Sequence, residues 1–77
     1  MSNAPHPTER EKVAANVRAE AARRGISQAT IASTLGINQA GISRRMSGQI
    51  DFSAPELSAL ATAFGIPVAT FFGEDAA

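Results

Sequence analysis

The chain has 77 residues, of which 44% are hydrophobic but only 5% aromatic, and its seven basic side chains are balanced by seven acids. This length has room for one small domain, and the absence of cysteine excludes disulfides and thiolate metal sites. No apolar run approaches the ~20 residues of a membrane span and the start carries no signal-peptide pattern, so a soluble protein of a reducing cytoplasm is expected.

Residues 1–7 hold two prolines, a lone His6 and no periodicity. They read as a mobile arm, and His6 has no neighbour with which to bind a metal. Thr8 opens the first helix with the Thr-x-x-Glu pattern of a capping box, completed by Glu11. Val13, Ala14, Val17 and Ala21 give this helix an inward face. Arg10, Lys12, Arg18, Arg23 and Arg24 fall mostly outside it, and Gly25 stops it. Most of these charges need no role beyond a solvated face.

Ile26 leads into Ser27–Gly48, the stretch around which the rest is organised. Ser27 is a good N-cap, and Ile31, Ala32 and Leu35 carry helical spacing. Gly36 makes a turn, because glycine takes a left-handed conformation at little cost. Ile37 is an apolar plug after it. Asn38 caps a second short helix, 39–46, whose inward residues are Ile42 and Met46 at i, i+4. Gly48 is the next stop. Ile50 and Phe52 then read as two buried anchors of a loop. Ser53 and Glu56 make a second capping box, with Pro55 in the first helical turn. Leu57, Leu60, Ala61 and Phe64 form that helix's stripe, and Gly65 closes it. Pro67 opens a short last helix through Val68, Phe71 and Phe72, ended by Gly73. Residues 74–77 read as a frayed tail. The pattern predicts an all-α domain of five helices over residues 8–73.

The central run resembles the helix-turn-helix of the phage repressor/Cro and xenobiotic-response-element families. Gln28, Ile31, Ala32, Gly36, Ile37, Gln39, Ile42, Ser43 and Gly48 carry the resemblance, which extends from about Thr8 to about Gly73. It implies a lambda-repressor-like DNA-binding domain that sets helix 39–46 in the major groove of double-stranded DNA. Carried over by position, it puts base contacts on Gln39, Ala40 and Arg44, with the short Ser43 within reach of a base or a phosphate. A Gln amide suits adenine, an Arg fork suits guanine, and the Ala40 methyl suits a thymine methyl. Gln28 becomes the main phosphate contact. Ser27, Arg10, Arg45, Ser47 and Gln49 are further candidates for phosphate contacts. Many relatives have an apolar residue where Arg45 stands and Glu where Met46 stands; here the apolar role shifts to Met46.

Charge supports a polyanionic partner despite a net of zero. Residues 1–50 hold all seven bases and three acids, a net of +4, while residues 51–77 hold four acids and no base. Such a dipolar molecule would turn one end to DNA. Adjacent Phe71 and Phe72 point about 100° apart on a helix, so one should seal the domain while the other, with Val68, offers a dimer contact. The expected function is a sequence-specific transcriptional regulator, a phage-type repressor or Cro-like protein, acting as a homodimer. The alternatives are an antitoxin that binds DNA and a toxin through the same fold, and an interaction adaptor without DNA binding. One histidine, no cysteine, no tyrosine and no phosphate-binding glycine loop argue against an enzyme, and no cofactor or metal is expected.

Overall fold

The four α-helices each begin where a side chain accepts one of the first free backbone N–H groups, and three of them end where a left-handed glycine reverses the chain. The computed structural model describes residues 8–73; the expected arm (1–7, with His6) and tail (74–77) lie outside the described residues. Four α-helices follow in order: α1 (Glu9–Arg24), α2 (Gln28–Leu35), α3 (Gln39–Met46) and α4 (Ala54–Phe64). A 3-10 helix, η1 (Val68–Phe72), closes the domain, and no strand occurs among the described residues. Both capping boxes form, Thr8 with Glu11 and Ser53 with Glu56. Ser27 and Asn38 cap α2 and α3 by accepting the Thr30 and Gly41 N–H groups.

The helix ends repeat one device. Gly25, Gly36 and Gly65 are left-handed, and each is followed by an isoleucine. The N–H groups of Ile26, Ile37 and Ile66 donate to the carbonyls of Ala21, Ala32 and Ala61 at 2.9, 3.0 and 3.0 Å. This is the Schellman pattern, in which the residue after the glycine folds back onto the last turn. All three isoleucines pack, partly buried, against the core. The stops therefore also recruit core.

Val17, Ile31, Ile42, Leu60 and Phe71 are the largest fully buried side chains, so α1, α2, α3, α4 and η1 each contribute to one cluster. Phe64 and Phe71 meet edge to face, with centroids 5.9 Å apart. α1 crosses the whole domain: Asn16 Nδ2 donates to the Phe71 carbonyl at 2.9 Å, and Arg24 Nε donates to the Phe64 carbonyl at 3.2 Å. The Arg24 guanidinium also lies 5.8 Å from the Phe64 ring centroid.

Two expectations need correction. The fifth helix is not α-helical: only five residues separate Pro67 from Gly73, and the Thr70 N–H reaches the Pro67 carbonyl in the tighter i→i+3 pattern. Ile50 is not a buried anchor. It is 38% exposed, whereas Phe52 is buried. Gly48 bends the chain at φ +80°, and the N–H groups of Gln49 and Ile50 fold back onto the Arg44 carbonyl. That turn breaks the alternation which would have put Ile50 and Phe52 on one side.

Candidate nucleic-acid interface

α3 is fixed by its apolar side. Ile42 and Met46 are its buried residues, one turn apart. Gln39, Ala40, Ser43, Arg44 and Ser47 are exposed, and at 100° per residue they fall within an arc of about 140°. Arg44 is two residues from each anchor, hence about 200° round the helix from both. On this wheel Arg44 faces directly away from the two anchors and Ala40 nearly so, while Ser43 lies on the flank and Gln39, only about 40° from the anchors' direction, is exposed in the first turn; all four candidate base-reading residues are open to solvent.

Gln28, at the first position of α2, lies beside the start of α3. Gln39 Nε2 donates to Gln28 Oε1 at 3.4 Å, a long contact between two exposed amides. The turn at Gly36–Asn38 thus brings together a candidate base contact and the main candidate phosphate contact. The other polar candidates are partly engaged. Ser27 Oγ accepts the Thr30 N–H at 3.1 Å, and Ser47 Oγ donates to the Arg44 carbonyl at 3.1 Å. Gln49 is exposed, and its carbonyl accepts from Arg10 Nη1 at 3.2 Å.

The seven basic groups separate sharply by partner. Lys12 pairs with Glu9, Arg10 with Asp51, Arg23 and Arg24 with Glu20, and Arg45 with Glu56. Arg18 donates to the Met46 carbonyl at the end of α3. Arg44 alone has no hydrogen-bonding or ion-pair partner among the described residues. The charge separation read along the sequence is thereby partly cancelled in space, because Asp51 and Glu56 fold back onto bases of the first half. Glu74 and Asp75 lie outside the described residues.

Three carboxylates are held below their ordinary range. For Glu11 the main cause is the hydrogen bond from the Thr8 backbone N–H. For Glu20 it is the hydrogen bond from Arg24, with Arg23 adding to it. At Glu56 burial pushes the carboxyl up, but hydrogen bonds from Arg45 and the Ser53 N–H outweigh it. Glu20 and its pairing were not legible from the sequence, where Arg23 and Arg24 read as solvated charges.

Arg45 points along the domain and not out of it. Its side chain is 18% exposed and its guanidinium bonds to Glu56 and to the Gly41 carbonyl. Of the residues offered for a dimer, Phe71 is fully buried, while Val68 and Phe72 are 42% and 44% exposed. Phe71 thus seals the domain. Among the described residues there is no enclosed pocket, no group of three or more His, Cys, Asp or Glu side chains placed to hold a metal, and no helix long and apolar enough to cross a membrane.

Known proteins share both motif and fold. The helix-turn-helix family model HTH_3 matches residues 17–71, more than half of the chain. A crystal structure of the clp gene regulator ClgR from Corynebacterium glutamicum superposes with a TM-score of 0.80 at 25% identity, over 87% of this chain and 71% of that one. A second ClgR structure gives 0.77 at 24% identity over 86% of both chains. The restriction-modification controller protein C.AhdI from Aeromonas hydrophila gives 0.70 at 26% identity, over 79% of this chain and 92% of the other. A search of curated protein sequences gave no match. With the motif, the exposed face of α3 and the family match together, the chain belongs to the Cro/C1-type helix-turn-helix family and is a DNA-binding transcriptional regulator.

Proposed function

We propose that residues 8–73 form a sequence-specific reader of double-stranded DNA, of the phage-repressor or Cro type, that inserts α3 into the major groove. The observation that carries this reading is the outer face of α3, where Arg44, the one basic side chain without a partner among the described residues, stands with Gln39, Ala40 and Ser43. Gln39 would pair with adenine through N6 and N7, Arg44 with guanine O6 and N7, Ala40 would meet a thymine methyl, and Ser43 a base or an adjoining phosphate. Gln28 binds phosphate and, through its amide contact, steadies Gln39. Ser27, Ser47 and Gln49 add backbone contacts. Arg10 joins them readily, since its pair with Asp51 is exposed on both sides and such pairs hold weakly. Arg45 leaves the set of phosphate contacts, because its donors are engaged inside the domain.

A homodimer suits so small a contact surface. Two copies would read a pseudo-palindrome with half-site centres about 34 Å apart, joined through Val68 and Phe72. That ClgR is a gene regulator and C.AhdI a controller protein supports control of transcription initiation as the outcome. Selection of bound duplexes from a random-sequence library tests the proposal. It should enrich two inverted half-sites at that spacing, with binding that weakens as salt rises. Recovery of no common sequence at low salt would overturn it.

A further inference from the structure

We infer that Arg45 and Glu56, with Gly41 clearing their path, form a clamp that sets how α3 presents its outer face. The inference rests on the base-reading role proposed for that face, but concerns residues on the flank of the helix, outside the reading set. α3 has eight residues and two buried anchors. Two anchors one turn apart define a line, and a short helix can still roll about it. α3 packs on α1 and α2, while α4 packs on α1, α2 and η1; the α3 and α4 backbones do not lie directly against each other. Arg45 bridges them. Its Nε and Nη2 donate to Oε1 and Oε2 of Glu56 at 3.0 and 3.2 Å. A two-point fork fixes direction as well as distance. Nη1 turns back to the Gly41 carbonyl at 3.0 Å, so all three guanidinium nitrogens are engaged. Both side chains are 18% exposed, against 47% and 67% for Arg10 and Asp51. Solvent therefore competes with this pair far less.

The far end of the clamp is itself held. Glu56 Oε1 also accepts the Ser53 N–H at 2.9 Å, and Ser53 Oγ accepts the Glu56 N–H at 3.2 Å. The roll of α3 is thus referred to the capped first turn of α4, which Leu57 and Leu60 bury in the core.

Gly41 supplies an independent observation. It lies inside α3 without a positive φ, so its backbone does not require glycine. Alanine would favour the helix more. A Cβ there, however, would stand 3.3 Å from Arg45 Nη1 and 3.1 Å from the capping oxygen of Asn38. The missing side chain lets the guanidinium lie along the helix and reach Glu56.

Three variants test the clamp: Glu56→Gln, which keeps an acceptor for the Ser53 cap, Arg45→Met, and Gly41→Ala. Amide exchange is measured in the free protein. Binding is measured to a duplex selected by the wild type from random sequence, and to an unrelated duplex of equal length. The first two variants should speed α3 exchange and weaken the selected duplex, each by about tenfold, as expected for a shielded charged hydrogen-bonded pair. The amides of α1 and the affinity for the unrelated duplex should stay near wild type. These variants shift net charge in opposite directions, so a shared loss is not a charge effect. Gly41→Ala should loosen α3 despite its better helix propensity. Wild-type exchange in α3 in both Glu56→Gln and Arg45→Met overturns the clamp, as does a Gly41→Ala variant with slower exchange and full affinity. A salt slope lowered by about one in Arg45→Met, without faster exchange, instead assigns Arg45 to phosphate and overturns it too. If the wild type selects no duplex, the base-reading proposal fails alone, and the exchange data still decide the clamp.

Discussion

Gln39 and Arg44 differ in how firmly they are held before DNA arrives. Gln39 has one long amide contact, to Gln28, whereas Arg44 has no partner among the described residues. Arg44 therefore gives up no internal bond on docking, only the freedom of a long side chain. Replacing Gln39 by Ala should cost about 1–3 kcal/mol of discrimination at one base pair. It should also free Gln28, so the phosphate contact beside it should weaken slightly for every sequence. The measurement is affinity for the selected duplex and for each single-base variant at that pair. A uniform loss across all four bases would show that Gln39 steadies the complex without reading it. This expectation needs little change in stability, because Gln39 is exposed.

At the level of the helices, the three glycine–isoleucine stops decide where the chain turns. A Cβ built on Gly36 meets nothing within 4 Å, yet its φ is +68°. Gly36→Ala should thus lose only the backbone term, about 1–2 kcal/mol for a left-handed alanine. Thermal unfolding monitored by circular dichroism checks this, and a loss well beyond that range would mean that the turn between α2 and α3 has shifted. Such local grammar explains why so much was legible in the sequence. Caps at Thr8, Ser27, Asn38 and Ser53 and stops at Gly25, Gly36 and Gly65 act within a few residues of themselves, and α1 to α4 follow from them. The outward arc of α3 was legible for the same reason, since Ile42 and Met46 fix the helix phase. What the sequence did not disclose is long-range. Arg45 meets Glu56 eleven residues away, and Arg24 meets Phe64 forty away. Ile50 was misread because a turn cancelled its alternation with Phe52. The one sequence signal for the Arg45 contact was Gly41, a poor helix former placed mid-helix without a turn to make.

For the molecule as a whole, the carboxylates that bond within α1 and its cap, and the one that joins α3 to α4, set its response to acid, while its last element holds most of its apolar surplus. Glu11, Glu20 and Glu56 are all held below the ordinary carboxylate range in the fold. Their contribution is complete above that range and is lost as pH falls through the lowered values. Denaturant midpoints should therefore be flat through neutral pH and fall below about pH 4, with Glu56→Gln showing a shallower acid decline. The proposed homodimer would draw on the apolar surplus. Phe71 fills the core, so Val68 and Phe72 on the same short element remain as two of the three large exposed hydrophobics. Neither supports the fold from inside. Phe72→Ser should accordingly leave the melting temperature of dilute protein within a few degrees, since surface changes of this kind stay within about 0.5 kcal/mol. It should raise the dimer dissociation constant by tenfold or more, since burying a Phe contributes about 1.5–3 kcal/mol. Sedimentation equilibrium of the two proteins measures this directly. On DNA the variant should fill half-sites independently, so binding to a two-half-site duplex loses its steep concentration dependence while affinity for a single half-site is kept. A variant that still sediments as wild type would place the pairing surface elsewhere, and one that melts early would mean that Phe72 supports η1 from outside.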